Sequence, residues 1–432
     1  MASQRFFRFL VSDDEADAAS VSPEARPHIA ANGIRQMAAQ TLQSVGDQVV
    51  NAKTVLPWLV TALGAPSGFV GLLVPIREAG SMLPQAAWAP RIRRRRVRKW
   101  VWVAGAAGQA GATAAMALVA ATASGTVAGV GVLAALAVFA LARSLSSIAS
   151  KDVLGRTVPK GQRGQIKGAT TVASAAVALS LGVALRTWGG ESVGTGVLAA
   201  LLGAAALAWV GAAAVYATIR EPAAEVAQAD ADGPGWVSQA VQLWREDAVF
   251  RKFVFARALL LVTALSPPFV VTLGVQQGSG LSALGLFVIA QGVAGLVGGR
   301  VFGRLADRSS RRLMIGASLA ASAVIVAHLG LVRLPGMGEA VWLAAAAYLL
   351  LALVHVGARL ARKTYVVDIA EGDRRTQYVA VANTLMGVLL LAVGAGTAAL
   401  AVLGAEFALL LLAVLGVAGA VVGRSLPEVE KG

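Results

Sequence analysis

Four ionisable residues stand where an apolar sequence least tolerates them. Asp47 and Lys53 lie in one oily run, and Arg77 and Glu78 lie in the next, just after Pro75. A charge at the centre of a membrane helix costs about 2.5–3.5 kcal/mol on insertion scales, so such a group needs a partner or a watery cavity. Gln40, Gln43, Asp47, Asn51, Thr54 and Trp58 recur every three or four positions, which makes one polar stripe along a helix. Lys53 falls off that stripe, towards the second run or another neighbour. Pro75 removes one helical hydrogen bond, and at about 1.5 Å rise per residue Glu78 reaches the depth of Asp47. A buried cluster of Asp47, Lys53, Arg77 and Glu78 is expected. Two chemistries are open to it, a proton-carrying set of carboxylates or a structural set of salt bridges, because burial perturbs both alike.

The elements that position these groups follow from composition. Of 432 residues, 57% are hydrophobic and 14% charged, whereas soluble chains average about 45–50% apolar and about 25% charged residues. Mean hydropathy is +0.69. Twelve runs are long enough to cross a bilayer: approximately 38–60, 66–88, 100–122, 126–149, 168–186, 194–217, 253–275, 281–304, 312–332, 340–361, 378–401 and 406–423. An all-α membrane protein of twelve transmembrane helices is therefore expected, and a soluble enzyme or a disordered chain is not. The chain has no cysteine, which excludes a disulfide scaffold.

The net charge is +15, a value that in a soluble protein would suggest nucleic acid. Here the basic residues fall in alternate loops. Arg91, Arg93, Arg94, Arg95, Arg96, Arg98 and Lys99 separate the second and third runs, with Trp88, Trp100 and Trp102 around them as an aromatic belt. Thinner clusters follow the fourth, eighth and tenth runs. Lysine and arginine mark the cytoplasmic side of a multi-pass protein, so the lipid bilayer is the expected partner and nucleic acid is not. The even number of runs places both termini in the cytoplasm. Richness in alanine, glycine and arginine suggests a GC-rich bacterium, hence its inner membrane.

The longest connection divides the runs six and six. The expected organisation is an N-terminal segment 1–37, a first six-helix bundle 38–218, a linker 219–252, a second bundle 253–424 and a tail 425–432. Within the linker Trp236, Ala240, Leu243 and Trp244 recur at helical spacing, as in a helix lying on the membrane surface. The halves repeat at an offset of about 210 residues. Leu59 to Gly64 matches Phe269 to Gly274, Val70 to Val74 matches Leu284 to Val288, and Lys160 to Arg163 matches Glu371 to Arg374. The offset aligns Asp47 with Arg257, and Arg77 and Glu78 with Gln291 and Gly292, so the acid of span two is not duplicated. Asp47 and Arg257 are expected to attract across the halves in one state and to separate in another.

Between spans eight and nine stands Gly303-Arg304-Leu305-Ala306-Asp307-Arg308-Ser309-Ser310-Arg311-Arg312. Here the chain resembles the major facilitator superfamily of secondary transporters, whose signature at this place is a glycine, an acid four residues on and a basic cluster. Ser310 stands where that family usually has glycine. The first-half loop, Pro84 to Pro90, has no acid, so the resemblance leaves inner gating to the second copy, with Gly303, Asp307, Arg308, Arg311 and Arg312 as its residues. The physical reading agrees: glycine permits close helix approach, and Asp307 among arginines can tie a span's end to a neighbouring loop. A plain topogenic charge cluster is the competing reading. The resemblance covers about residues 38 to 424 and implies two pseudo-symmetric six-helix bundles whose first, fourth and tenth helices line a central cavity.

On that plan Arg143, Ser147 and Lys151 of span four, and His355, Arg359 and Arg362 of span ten, would make the inner half of the cavity positive. This favours an anionic solute or an organic acid. Snorkelling explains Lys151 and Arg362 equally well, His355 can be a structural donor, and Asn383 of span eleven can be packing glue. The expected function is a secondary active transporter, a monomer, moving a small molecule by alternating access with protons carried by Glu78 or Asp47, and needing no cofactor. Span five lacks the glycine and proline pattern of resembling drug/proton antiporters. An enzyme is disfavoured by three dispersed histidines and no thiol. A non-transporting sensor or assembly factor on the same scaffold is the alternative, which has little use for buried polar stripes.

Overall fold

The computed structural model describes residues 21–159, 162–188, 194–223, 236–276, 280–337, 340–368 and 374–428. Residues 1–20, the acidic stretch from Glu225 to Gly235, and the repeat pairs Lys160-Gly161 and Glu371-Gly372-Asp373 lie outside the described residues. All regular structure among the described residues is helical.

Length and apolarity alone pick out ten membrane-crossing helices among the described residues. They are Lys99–Thr122, Gly125–Thr157, Gln162–Trp188 and Thr195–Ala217 in the first half, followed by Ala248–Gln276, Leu281–Gly299, Ser310–Leu331, Val341–Tyr365, Val381–Ala401 and Ala405–Arg424 in the second. Spans one and two complete the twelve, and their form departs from the sequence expectation. Span one is not continuous: it runs Ile29–Val49, unwinds at residues 50–54 and resumes as Val55–Ala62. Span two is a 15-residue helix, Gly68–Met82, with Pro75 inside it. The residues expected to finish it form a separate helix, Gln85–Arg93, that carries the first arginines of the cluster. Span four reaches Thr157 over 33 residues, about 50 Å at 1.5 Å per residue, and so projects beyond the bilayer core.

The break in span one has a local cause. Asn51 Oδ1 accepts from the Lys53 backbone N–H at 2.9 Å, so the side chain competes with the helical ladder as Asn does in turns. Span seven breaks at the repeat-related place, between Ala248–Leu259 and Val262–Gln276. Pro267 and Pro268, inside the second segment, cannot donate to the carbonyls of Thr263 and Ala264 four residues back. At the break itself the Leu260 carbonyl accepts both the Thr263 backbone N–H at 3.2 Å and Thr263 Oγ1 at 3.0 Å. Irregular backbone at membrane depth is tolerated only where it is buried in protein or lines a cavity.

Small residues let the helices approach within each half. A Cβ on Gly105 of span three would meet the Ala142 carbonyl of span four at 2.7 Å, and one on Gly419 of span twelve would meet Leu259 Cβ of span seven at 2.9 Å. The halves meet through span five against span eight, span two against span eleven, and the second segments of spans one and seven. The linker helix Trp236–Glu246 docks on the second half, with Leu243 buried and the Trp244 ring 5.6 Å from that of Phe255.

Candidate functional site

The interface between the halves holds a chain of connected polar chambers. One of about 360 Å³ is lined by Asn51, Lys53, Arg77, Glu78, Gln291 and His355 among others. One of about 390 Å³ lies towards the arginine-rich face and includes Gln43, Asp47, Arg143, Ser147, Lys151 and Lys167. A third of about 90 Å³ is set among Lys53, Glu78, Arg257, His355, Arg359 and Arg362. The walls come from spans one, two, three, four, five, seven, eight, ten and eleven.

Asp47 is the centre of the second chamber. Its Oδ1 accepts from Arg77 Nη2 at 2.9 Å and from Arg143 Nη1 at 2.6 Å, while Gln43 Nε2 donates to Oδ2 at 3.5 Å. Arg143 also reaches Gln109 Oε1 at 3.5 Å. Spans one, two and four are thus joined by one carboxylate with two guanidiniums. Glu78 takes no part in that pairing: its carbonyl accepts from Ser81 Oγ at 2.8 Å, and its carboxylate makes no hydrogen bond or ion pair among the described residues. It faces the other way, into the chambers that contain Lys53, His355 and Arg359. The single cluster expected from the sequence is therefore two clusters, one on Asp47 and one around Glu78.

Lys53 faces span ten rather than span two. Unwinding turns it so that Nζ lies 2.8 Å from His355 Nε2, and His355 Nδ1 lies 3.1 Å from Thr263 Oγ1. Because the Thr263 hydroxyl already donates to Leu260, it accepts here, which makes Nδ1 the protonated nitrogen and Nε2 the acceptor for Lys53. Lys53 and Thr263 are repeat-related residues at the two helix breaks, and His355 bridges them across the halves.

In this conformation Asp47 and Arg257 each have their own partner. Arg257 is 6% exposed and donates from Nη2 to Asn383 Oδ1 at 2.9 Å, with its Nε unpartnered. Trp58, placed on the polar stripe by spacing, is instead fully buried in the core beside Phe287. Three polar residues were not expected at the site. Gln291 Nε2 donates to Gln48 Oε1 at 3.0 Å, and Tyr348 Oη donates to Gln291 Oε1 at 2.9 Å. For Tyr348 the signal was available: Tyr348, His355, Arg359 and Arg362 follow one face of span ten at spacings of seven, four and three.

Away from the arginine clusters the two halves meet backbone to backbone. A Cβ on Gly285 of span eight would lie 2.5 Å from the Arg186 backbone nitrogen of span five, and one on Gly71 of span two 2.7 Å from Ala398 Cα of span eleven. Glycine is required at these contacts because backbone meets backbone.

Of the gating residues, Gly303 and Asp307 lie on the helix Leu281–Arg308, and their surroundings fall outside the described residues. Arg308 is exposed. Arg311 Nη2 and Arg312 Nε pair with Glu428 at 2.9 and 3.2 Å, and Ser309 Oγ donates to the same carboxylate at 3.0 Å. Glu428 belongs to the segment after span twelve, so these contacts stay within one half. The first half repeats the device with Glu221, just past span six. It accepts from the backbone N–H groups of Arg98 and Lys99 at 2.8 and 2.7 Å and pairs with Arg156 at 2.9 Å. The missing acid of the first-half loop is thus supplied from the far end of the bundle, at the positive end of span three. Burial raises the Glu221 carboxyl above the usual carboxylate range, against the opposing pull of these donors and Arg156. Glu221→Ala is expected to cost about 2–4 kcal/mol, since it strands two N–H groups and a guanidinium. Glu428→Ala, at a half-exposed site, should cost under about 1 kcal/mol. Thermal unfolding of the two variants in detergent, giving this order, checks the assignment.

A family model described as Major Facilitator Superfamily matches residues 44–388. The fold is similar to that of a D-xylose–proton symporter, with a TM-score of 0.67 at 14% identity over 92% of this chain and 98% of that one. It is also similar to the nucleoside transporter NupG, with a TM-score of 0.69 at 11% identity over 91% and 99% of the two chains. The inward-open xylose transporter XylE from E. coli gives 0.62 at 12% identity, over 93% and 97%. No curated protein matches the chain by sequence.

Proposed function

Taking as premise that the chain belongs to the major facilitator superfamily, we propose that it is a proton-coupled secondary transporter for a small organic anion, working by alternating access. The observation that carries this reading is the charge balance of the cavity. The 360 Å³ and 90 Å³ chambers present Lys53, Arg77, Arg257, Arg359 and Arg362, with Glu78 the carboxylate among their lining residues. Asp47 is already shared by two arginines. Water-filled space with a surplus of fixed positive charge draws anions and excludes cations.

On this reading the chambers open towards the arginine-rich face, the cytoplasmic side by the distribution of lysine and arginine, in a bacterial inner membrane with both termini inside. The glycine contacts of spans two, five, eight and eleven form the closed outer gate. Reversal requires the halves to rock about the two helix breaks, where few ladder hydrogen bonds resist bending. In the outward-facing state Asp47 releases its arginines and approaches Arg257, its repeat partner. The Lys53–His355 contact belongs to the present state and is lost on reversal. Glu78 and Asp47 are the proton carriers: protonation of either removes the charge that its arginine or lysine neighbours hold.

The test is uptake into proteoliposomes from a panel of radiolabelled anionic, neutral and cationic solutes, with and without a proton gradient. Accumulation of an anion that rises with the gradient is the expected outcome. Accumulation confined to cations or neutral solutes, or gradient-independent flux of every solute, contradicts the proposal.

A further inference from the structure

The 90 Å³ chamber is a built site. Arg257 enters it almost wholly buried, with Nε lacking any acceptor. Arg362 and Lys53 enter from span ten and from the break in span one, and Arg362 makes no ion pair or hydrogen bond among the described residues. Glu78 is the carboxylate present, and it sits in the field of Lys53, Arg77 and Arg362 without touching any of them closely enough to form a salt bridge. An enclosed group of cations this under-neutralised calls for a further anion. At about 90 Å³ this is the smallest of the three chambers, with room for a compact tetrahedral oxyanion.

The adjoining 360 Å³ chamber shares Lys53, Glu78, His355 and Arg359 with the small one. Its far wall differs in chemistry, carrying Gln48, Asn51, Gln291 and Tyr348, neutral donors and acceptors suited to hydroxyl or amide groups. A compact negative head and a neutral polar body thus have separate places, side by side.

Resting on the anion-transport reading above, we propose that the solute is an organic phosphate or a like tetrahedral oxyanion ester. Its head group is held between Arg257, Arg362 and Lys53, its polar body lies in the larger chamber, and Glu78 is the resident counter-ion that the head displaces. Guanidinium forks match the oxygen spacing of such a head. Glu78 competes with the solute for the same cations, so neutralising Glu78 by a proton strengthens solute binding. This gives the coupling between proton and anion a single place.

The experiment is equilibrium binding to the full-length protein in detergent, at constant ionic strength made up with chloride, with inorganic phosphate, sulfate and acetate as probes. Phosphate and sulfate should bind saturably and acetate about tenfold more weakly. Arg257→Gln and Arg362→Gln should each weaken phosphate binding by about tenfold or more, and Arg257→Lys by less. Glu78→Gln should tighten it by about threefold or more, a gain that misfolding cannot imitate. Equal binding of acetate, indifference of phosphate to Arg257→Gln, or weakening by Glu78→Gln overturns the head-group site. Uptake of a carboxylate with Arg257 dispensable removes this inference and leaves the anion transporter standing. Uptake of neutral solutes alone, with no anion bound, removes both.

Discussion

Asp47→Asn should nearly abolish transport and destabilise the protein. The substitution leaves Arg77 and Arg143, now 2.9 and 2.6 Å from one carboxylate oxygen, facing each other without a counter-charge in a poorly solvated site. Removing one partner of a buried ion pair costs about 3–5 kcal/mol, and the 20% exposure of Asp47 puts the loss at the lower end of that range. If the same interaction is remade with other partners during each cycle, about 3 kcal/mol corresponds to about a 100-fold fall in rate. Asp47→Glu should retain part of the activity. The double variant Asp47→Asn with Arg143→Gln separates the two effects: thermal stability should recover in part, because one of the two unpaired guanidiniums is gone, while transport stays lost. Parent-like transport by Asp47→Asn would withdraw the role given to this carboxylate.

Gly285→Val should hold the far end of the molecule apart. A Cβ at this position already falls 2.5 Å from the Arg186 nitrogen and 2.6 Å from the Gly182 carbonyl. Both are backbone atoms, which cannot swing aside as a side-chain tip would, so spans five and eight must separate. The conformational balance then shifts towards the state open at that end, and a shift of about 3 kcal/mol takes an even population to beyond about 99:1. Transport should fall by an order of magnitude or more while the folded protein persists. Uptake assays together with a fluorescence melting curve check both halves of this expectation. Gly111→Val, at a glycine with no neighbour within 4 Å, should do neither.

Much of this architecture could be read from residue types and spacing. The polar stripe of span one brought Gln43, Asp47 and Asn51 to the cavity wall, because a helix that spans lipid cannot turn such a row outwards. The cationic face of span ten and the repeat relating Asp47 to Arg257 were legible for the same reason. The break in span one was not, since hydropathy carries no mark for a side-chain hydrogen bond to the backbone, and it is this break that sends Lys53 to His355. Pro57 and Pro267 stand 210 residues apart and could have pointed to the paired interruptions. Span two looked long because hydropathy ran on through Leu83 to Trp88, where Pro84 starts a new helix. Partner choice was the least accessible feature. Asp47 could pair with any nearby cation, and only packing selects Arg143, 96 residues away. Glu221 and Glu428 sit in polar segments after the last span of each half, with no local sign that they reach back to spans three and nine.

The central claim is that one charged cavity between two six-helix halves faces each side of the membrane in turn. Because the chain has no cysteine, Ala352→Cys, on the wall of the chamber of about 360 Å³, provides a single reporter. Its reaction with a membrane-impermeant maleimide can be measured in inside-out and right-side-out vesicles. The account predicts labelling from both faces, with Gly285→Val raising the rate from the outer face and lowering it from the inner one. Labelling from one face only, unchanged by Gly285→Val, would contradict it.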